Sequence, residues 1–252
     1  MPDLFQINSD SGAFRLRYDP PAGKLLGTCI LIQSGQLGLY DEPVAEAVFY
    51  KCLTRSLTRV QIGVLRFDQE PREDPKQAAD DTELSRRTER LWQTIRDPRL
   101  KSYLDHYVMC GFSLGARSVL QLISARQPGT FLDPQGVVLV GCVVDSPTAV
   151  MSNLQTVQLV YGERDYIAYV GNDDETDYVA IPPQEYGRKS LEMLVLRSRQ
   201  RCDMDIVDGV GHLLLNGDAT QQSNSAIPWL TDRIKQIITQ NGSFQRAKGA
   251  LV

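Results

Sequence analysis

The sequence lacks the features that mark two large classes of protein. No apolar run approaches the roughly 20 residues that a membrane-spanning helix needs. Basic residues are not in excess either, because 27 Lys and Arg stand against 31 Asp and Glu, a formal net charge of −4. A chain of this charge has no surplus with which to neutralise phosphates. We therefore expect neither a membrane span nor nucleic acid as the main partner.

Paired cysteines are also lacking. The five cysteines are widely spread and form no Cys-x-x-Cys pair, which argues against a zinc site or a redox motif. Four of them lie in apolar runs, where a free cysteine behaves as a small buried hydrophobe. The first residues have neither the basic start nor the apolar core of a secretory signal. These absences predict a reducing, cytoplasmic setting.

What the sequence does contain is a regular alternation of strand and helix patterns. Its 252 residues suit one α/β domain spanning 1–252. The predicted strands cover 3–8, 13–18, 28–33, 62–67, 136–142, 157–161 and 203–207, with a further strand that begins near residue 107 and leads into Gly-x-Ser-x-Gly. The predicted helices cover 42–58, 81–96, 114–126, 184–199 and 226–240, with a frayed tail from Asn241. Such units predict a mainly parallel central sheet with helices on both faces, which binds ligands at the carboxyl ends of its strands.

One motif carries most of the functional information. The apolar run 107–110 leads into Gly111-Phe112-Ser113-Leu114-Gly115, and a helix pattern follows. Gly-x-Ser-x-Gly between a strand and a helix is typical of a nucleophile elbow, a strained turn that exposes the serine above the sheet. Glycine fits both ends because side chains there would collide as strand and helix close on each other. The motif predicts Ser113 as a nucleophile, with the Leu114 N–H directed at its reaction centre.

A nucleophilic serine needs a base, and the chain has only two histidines. His106 begins the strand that ends at the elbow, so it lies at the opposite end of that strand from Ser113. His212 follows a predicted strand, in the loop 208–212. We therefore predict that His212 is the general base.

The base needs a carboxylate that orients it, and three acids follow suitable strands. The acid should follow a strand between Ser113 and His212, and Asp165 does so in the segment 159–165. Asp145 follows the preceding strand and is a competitor, and Glu163 is a weaker one. We predict Asp165 as the orienting acid and keep Asp145 as the alternative.

A tetrahedral intermediate needs two amide donors. The Leu114 N–H is the first. We expect the second in the loop 34–38, because its glycines let the backbone approach a ligand closely. Gln36 N–H is the predicted donor for this oxyanion hole, with Leu37 next. A plain strand-to-helix turn is the other interpretation of the loop.

With these motifs, residues 13–240 resemble the α/β-hydrolase fold family. The elbow is similar to those of dienelactone-hydrolase-like proteins and small carboxylesterases, and 161–165 and 209–212 resemble the acid and histidine loops of many members. The resemblance implies the triad roles of Ser113, Asp165 and His212, with no cofactor. Many members carry His-Gly in the oxyanion loop, where this chain has Ser34-Gly35. In this family a cap domain is usually inserted between the strand that here ends near residue 142 and the one that starts near residue 155. That link is short in this chain, so no large cap domain is expected.

The segment 166–183 looks like an insertion after the acid loop. Either a flap whose tyrosines face substrate or a solvated surface loop fits it. On the first interpretation, Tyr166 and Tyr169 join Leu37 as substrate-binding candidates. We interpret the acids at 173–177 as solvated rather than as a metal site, because no histidine accompanies them.

The leading functional hypothesis is a serine hydrolase. It would cleave an ester or thioester of a small-molecule or carrier-linked acyl substrate through an acyl-enzyme on Ser113. An acyltransferase or a carbon–carbon bond hydrolase could use the same triad. A non-catalytic binding protein on this fold is a third hypothesis, motivated by Ser34 and by the insertion. A homodimer is compatible with the sequence, although no pattern selects it.

Overall fold

The computed structural model describes residues 2–10, 12–70, 80–125, 133–170, 178–217 and 221–249. Within them the strands are β1 (Asp3–Ser9), β2 (Gly12–Asp19), β3 (Gly27–Ile32), β4 (Ile62–Phe67), β5 (Tyr107–Phe112), β6 (Gly136–Val140), β7 (Thr148–Ala149), β8 (Thr156–Gly162), β9 (Ile167–Val170), β10 (Tyr178–Ile181), β11 (Leu194–Val195) and β12 (Arg201–Val207). The α-helices are α1 (Ala45–Arg59), α2 (Asp81–Arg96), α3 (Leu114–Ala125), α4 (Pro183–Met193) and α5 (Ala226–Gly249). Short 3-10 helices lie at Pro98–Tyr103 and Gln221–Ser223.

Eight strands form a central sheet in the order β1-β2-β4-β3-β5-β6-β8-β12. The N-terminal hairpin is antiparallel, and β2 joins β4 in the antiparallel sense. The remaining neighbours are parallel, as where Ile30 of β3 pairs with Leu65 on one side and Met109 on the other. The prediction of a mainly parallel sheet is confirmed. Its parallel strands end at one edge of the sheet, where their following loops meet.

Two apolar cores cover the two faces of the sheet. Alternate residues of β3 divide between them, because side chains in a strand point to opposite faces. Ile30 and Ile32 enter the core beneath α2 and α3. Cys29 and Leu31 enter the core beneath α1 and α5. Burial on both faces explains why the central strands read as continuous apolar runs rather than as alternating ones.

Three predicted helices have different bounds in the structure. α1 begins at Ala45 rather than at residue 42, because the Glu42 carboxylate turns back to accept from the N–H groups of Gly38 and Leu39, at 3.0 and 2.6 Å. α4 ends at Met193 rather than at 199, since the next two residues pair with β7 as a parallel strand. α5 continues to Gly249, past the predicted helix end at residue 240.

The link between β6 and β8 contains only the two-residue strand β7. In the described part of the chain, therefore, no cap domain covers the carboxyl edge of the sheet. The predicted insertion contains β9 and β10, which pair as an antiparallel ribbon. No helix among the described residues is long and apolar enough to cross a membrane.

Candidate active site

Ser113 occupies the turn between β5 and α3 with a φ of +51°, a left-handed backbone conformation that a serine rarely adopts. A Cβ at Gly111 would lie 2.7 Å from the carbonyl oxygen of Gly115, which is too close for any side chain. A Cβ at Gly115 would lie 2.4 Å from the carbonyl oxygen of Gln33. The glycines thus let the first turn of α3 pack against both β5 and the loop after β3. The strained turn holds the serine hydroxyl at the carboxyl edge of the sheet.

His212 joins the serine to a buried acid. Its Nε2 lies 2.9 Å from Ser113 Oγ, and its Nδ1 lies 2.8 Å from Asp165 Oδ1. The Asp165 side chain is 2% exposed, whereas the His212 side chain is 45% exposed. A buried carboxylate bonded to Nδ1 fixes the neutral tautomer in which Nε2 accepts a proton. The structure therefore places the three predicted triad residues in one hydrogen-bonded row.

Backbone contacts hold the acid and histidine loops together. The N–H groups of Glu163 and Arg164 donate to Val207 and Val210, each at 2.9 Å. A Cβ at Gly162 would lie 2.3 Å from the Gly211 carbonyl oxygen. The ends of β8 and β12 are thus locked in register, which sets the spacing of Asp165 and His212.

Gly141, which directly follows β6, packs against His212. Its φ is +61°. A Cβ there would lie 2.8 Å from His212 Cε1. The next residue, Cys142, is fully buried, and burial raises the pKa of its thiol to about 12. That thiol is protonated at neutral pH, so it offers no thiolate to compete with the serine hydroxyl.

The competing candidates lie elsewhere. Asp145 is exposed, and Asp165 holds the position beside the His212 ring. The Glu163 carboxylate accepts from the Gly209 N–H at 2.8 Å. His106 precedes β5, and its Nδ1 lies 3.1 Å from the side-chain nitrogen of Gln135 at the opposite end of the sheet.

A tyrosine supports the acid from behind. The Tyr186 hydroxyl, on α4, donates to the Asp165 backbone carbonyl at 2.8 Å. Burial raises the pKa of Tyr186, and the negative charge of Asp165 raises it further, so the phenol stays protonated and remains a donor. The sequence offered no sign of this role, because Tyr186 lies 21 residues from Asp165 in an amphipathic helix.

The predicted oxyanion donors lie at the start of α3 and in the loop after β3. Leu114 begins α3, so its N–H is one of the helix amides without an intrahelical acceptor. The Gln36 N–H donates to Ser34 Oγ at 3.1 Å. The Leu37 side chain is 1% exposed and packs into the core beneath α1. This burial does not favour the predicted contact of Leu37 with substrate.

Of the two tyrosines predicted to contact substrate, the structure describes the side chain of one. The Tyr166 side chain is 60% exposed just after the acid loop. Tyr169 lies in β9, and its side chain is outside what the structure describes, as are residues 171–177 with most of the acidic cluster. Among the described residues, no group of three or more His, Cys, Asp and Glu side chains could hold a metal ion.

Two buried charges near the site escaped the sequence analysis. Arg87 of α2 is 1% exposed, and Glu46 of α1 is 4% exposed. The Arg87 guanidinium donates to the Ser34 carbonyl at 3.0 Å, and the Glu46 carboxylate accepts from the Ser34 hydroxyl at 2.8 Å. A signal existed, because each charge lies on the apolar face of its helix, Arg87 between Leu84 and Leu91.

Together the sheet order, the elbow and the row of three side chains define a class of fold. No protein-family model matches the sequence, and no curated protein does. Solved structures are similar over nearly the whole chain. Dienelactone hydrolase from Anabaena variabilis has a TM-score of 0.63 at 15% identity, covering 95% of this chain and 97% of that one.

Two further structures agree. An α/β serine hydrolase without a lid from Xanthomonas campestris has a TM-score of 0.60 at 14% identity, over 95% of this chain and 94% of that one. The esterase domain of a Rhodothermus marinus protein has a TM-score of 0.55 at 15% identity, over 92% and 99%. The chain has the α/β-hydrolase fold. At identities this low, the structural similarity establishes the fold alone, and the chemistry depends on the residues of the site.

Proposed function

We propose that this protein is a serine hydrolase of carboxylic esters or thioesters. The observation that carries the proposal is the hydrogen-bonded row of Ser113 Oγ, His212 Nε2 and Asp165, with distances of 2.9 and 2.8 Å. Serine alone is a weak nucleophile, and an oriented imidazole within hydrogen-bond distance is what activates it. The serine hydrolases and esterase among the similar structures add support at the level of the fold.

The proposed reaction has two halves. Ser113 Oγ attacks the acyl carbonyl carbon while His212 Nε2 takes the hydroxyl proton, which it then gives to the leaving alcohol or thiol. Water next attacks the acyl-enzyme, with His212 again as the base, and the acid is released. Asp165 holds the ring and stabilises the imidazolium in both halves. The N–H groups of Leu114 and Gln36 stabilise the oxyanion, with Leu37 as the alternative second donor.

The openness of the site favours a broad class of acyl substrate. The His212 side chain is 45% exposed, and no cap covers it in the described residues. A small ester can reach such a site, and so can an acyl group carried on a larger molecule. Tyr166, which is exposed beside the acid loop, is the proposed substrate contact from the insertion.

Labelling with a fluorophosphonate probe tests the proposal. We expect one equivalent of probe on the wild type by intact mass, none on Ser113→Ala, and Ser113-dependent hydrolysis of p-nitrophenyl acetate. A competing alcohol in the assay separates hydrolysis from acyl transfer by its products. Equal labelling of the wild type and a folded Ser113→Ala variant would place the reactive group elsewhere and overturn the proposal.

A further inference from the structure

The loop after β3 is held by its first residue, Ser34. Its N–H donates to Glu46 Oε1 at 3.1 Å, and its hydroxyl donates to Glu46 Oε2 at 2.8 Å. Its carbonyl oxygen accepts from Arg87 Nη1 at 3.0 Å. The backbone groups and the side chain of this residue are therefore engaged between an anion from α1 and a cation from α2.

Both charges are buried at a cost that needs compensation. A buried carboxylate or guanidinium is unfavourable unless hydrogen bonds satisfy it. Glu46 accepts a further bond from the Tyr50 hydroxyl, whose pKa is raised first by burial and then by the Glu46 charge, so Tyr50 stays a donor. Arg87 also donates to the Glu70 carbonyl at 3.0 Å. The donors and acceptors around each charge supply that compensation, so the pair stays in place beneath the loop.

Tyr50 connects this arrangement to the elbow. Its ring packs edge-on against Phe112, with centroids 4.9 Å apart, and Phe112 directly precedes Ser113. The same loop touches α3, because the Gln33 carbonyl oxygen lies where a Cβ on Gly115 would collide. The position of the loop is thus fixed relative to the nucleophile.

The peptide group that joins Gly35 to Gln36 lies within this arrangement. Its carbonyl oxygen accepts from Arg87 Nη2 at 3.4 Å, and its N–H donates to Ser34 Oγ at 3.1 Å. A cation at the carbonyl end of a peptide polarises the group and makes its N–H a stronger donor. To serve as the second donor of the proposed oxyanion hole, this N–H has to take the oxyanion as an acceptor in addition to Ser34 Oγ.

We propose that Glu46 and Arg87 are positioning residues that clamp Ser34 and Gly35 and thereby hold and polarise the Gln36 peptide beside the elbow, so that its N–H is shared between Ser34 Oγ and the oxyanion. The proposal rests on the proposed serine hydrolase function. It also gives a role to Ser34, which stands where many α/β hydrolases have histidine. Neither charged side chain touches the reacting atoms, so both act through the loop.

Replacing Arg87 tests the clamp in the full-length protein. We expect Arg87→Met to lower kcat for p-nitrophenyl acetate about 100-fold, the usual loss for one oxyanion donor, with KM changed less than about threefold. Inhibition by an aryl trifluoromethyl ketone, which forms an oxyanion on the serine, should weaken by the same factor. Arg87→Lys should recover part of kcat, because the ammonium keeps the charge.

Arg90 provides the matched control. It is a buried arginine one turn along α2, but it donates to the Asp68 carbonyl at 3.2 Å rather than to the loop 34–38. Arg90→Met should lower the melting temperature and leave kcat unchanged. If Arg87→Met keeps the kcat of Arg90→Met, the clamp is wrong. If Arg87→Met does not fold, Glu46→Gln takes its place, since it removes the other charge of the clamp and keeps the shape of the side chain. A loss of kcat at constant KM in that variant then supports the clamp, and wild-type kcat overturns it.

Hydrogen exchange measured by mass spectrometry separates this proposal from the proposed function. The clamp predicts that the peptide covering 34–38 exchanges faster in Arg87→Met than in Arg90→Met. If the wild type shows no Ser113-dependent turnover, the hydrolase proposal fails, and faster exchange still supports the holding of the loop. Equal exchange in the two variants overturns the clamp whatever the activity.

Discussion

The two sides of the candidate active site are built by different means. On the base side, the loops that carry Asp165 and His212 pack against Gly141 and Gly162 at distances that exclude any side chain. On the proposed oxyanion side, buried charged groups from two helices hold the loop 34–38. Contact between backbones acts over short distances and does not titrate, whereas a buried charge acts further away and depends on ionisation. The base side therefore tolerates no added atom, and the oxyanion side tolerates no lost charge.

The two histidines test the base side most severely. His212→Ala should lower kcat about 10⁶-fold, because the serine loses its only base. His106→Ala should leave kcat within about twofold of the wild type, because it removes only a contact with Gln135 at the far end of the sheet. Initial rates with p-nitrophenyl acetate measure both. A large loss in His106→Ala with an intact fold would contradict the division of the sheet into a functional and a structural edge.

The acids provide the next largest effect. Asp165→Asn should lower kcat about 10⁴-fold, because an amide no longer fixes the tautomer of His212. Asp145→Asn, an exposed acid after β6, should change kcat less than about threefold. The reverse result would move the orienting role to Asp145.

Gly141 tests whether backbone contact really sets the histidine. Gly141→Ala should lower kcat about 10-fold to 100-fold, because its Cβ displaces the ring and small misplacements are costly. Gly209→Ala is the matched control, since its φ of +72° imposes the same backbone strain with nothing within 4 Å of its Cβ. Both variants should lose about 1–2 kcal/mol of unfolding free energy in urea, and only the first should lose activity. Equal activities would mean that Gly141 matters only for the backbone.

The smallest expected effect concerns a partly buried charge away from the site. Burial raises the pKa of Asp19, but hydrogen bonds from Arg17 and Arg66 outweigh it and leave the pKa below its ordinary value. A lowered pKa in the folded state stabilises the protein above about pH 3.9, and that stability is lost as the pH falls through the lowered value. Asp19→Asn should therefore cost about 1 kcal/mol at pH 7 and flatten the loss of stability on acidification.

Urea unfolding between pH 7 and pH 3 measures this effect. Asp41→Asn is the control, because its pair with Arg15 is half exposed and worth less than about 0.5 kcal/mol. If Asp19→Asn keeps the full pH dependence of the wild type, another carboxylate controls acid stability.

Much of the base side could be predicted from sequence. Two local patterns, Gly-x-Ser-x-Gly and the loop at 209–212, have a direct physical interpretation. The order of Ser113, Asp165 and His212 along the chain adds to them. The central strands could be predicted equally well, because burial on both faces leaves uninterrupted apolar runs. The predicted strands that end beside the site differ from the observed strands by only a few residues at their ends.

The oxyanion side was harder to read for a physical reason. The partners of Ser34 lie 12 residues away in Glu46 and 53 residues away in Arg87, and no local pattern links them. Their only trace is a charge on the apolar face of an amphipathic helix, which breaks the pattern that identifies the helix. Helix ends were likewise set by distant partners, as where β11 pairs with β7 and ends α4 early.

The free-energy cost of the strained backbone at Ser113 falls on folding rather than on substrate binding. A non-glycine residue at φ of +51° costs about 1 kcal/mol or more, and the chain meets that cost at folding, with no substrate present. The serine hydroxyl is therefore already aimed before any encounter, and no part of the binding energy has to be diverted into arranging it. On the proposed function, selection for reactivity would keep a serine at this position, whereas selection for stability alone would favour glycine. The turn at Ser113 thus lowers the stability of the folded chain and keeps the serine hydroxyl in place before substrate binds.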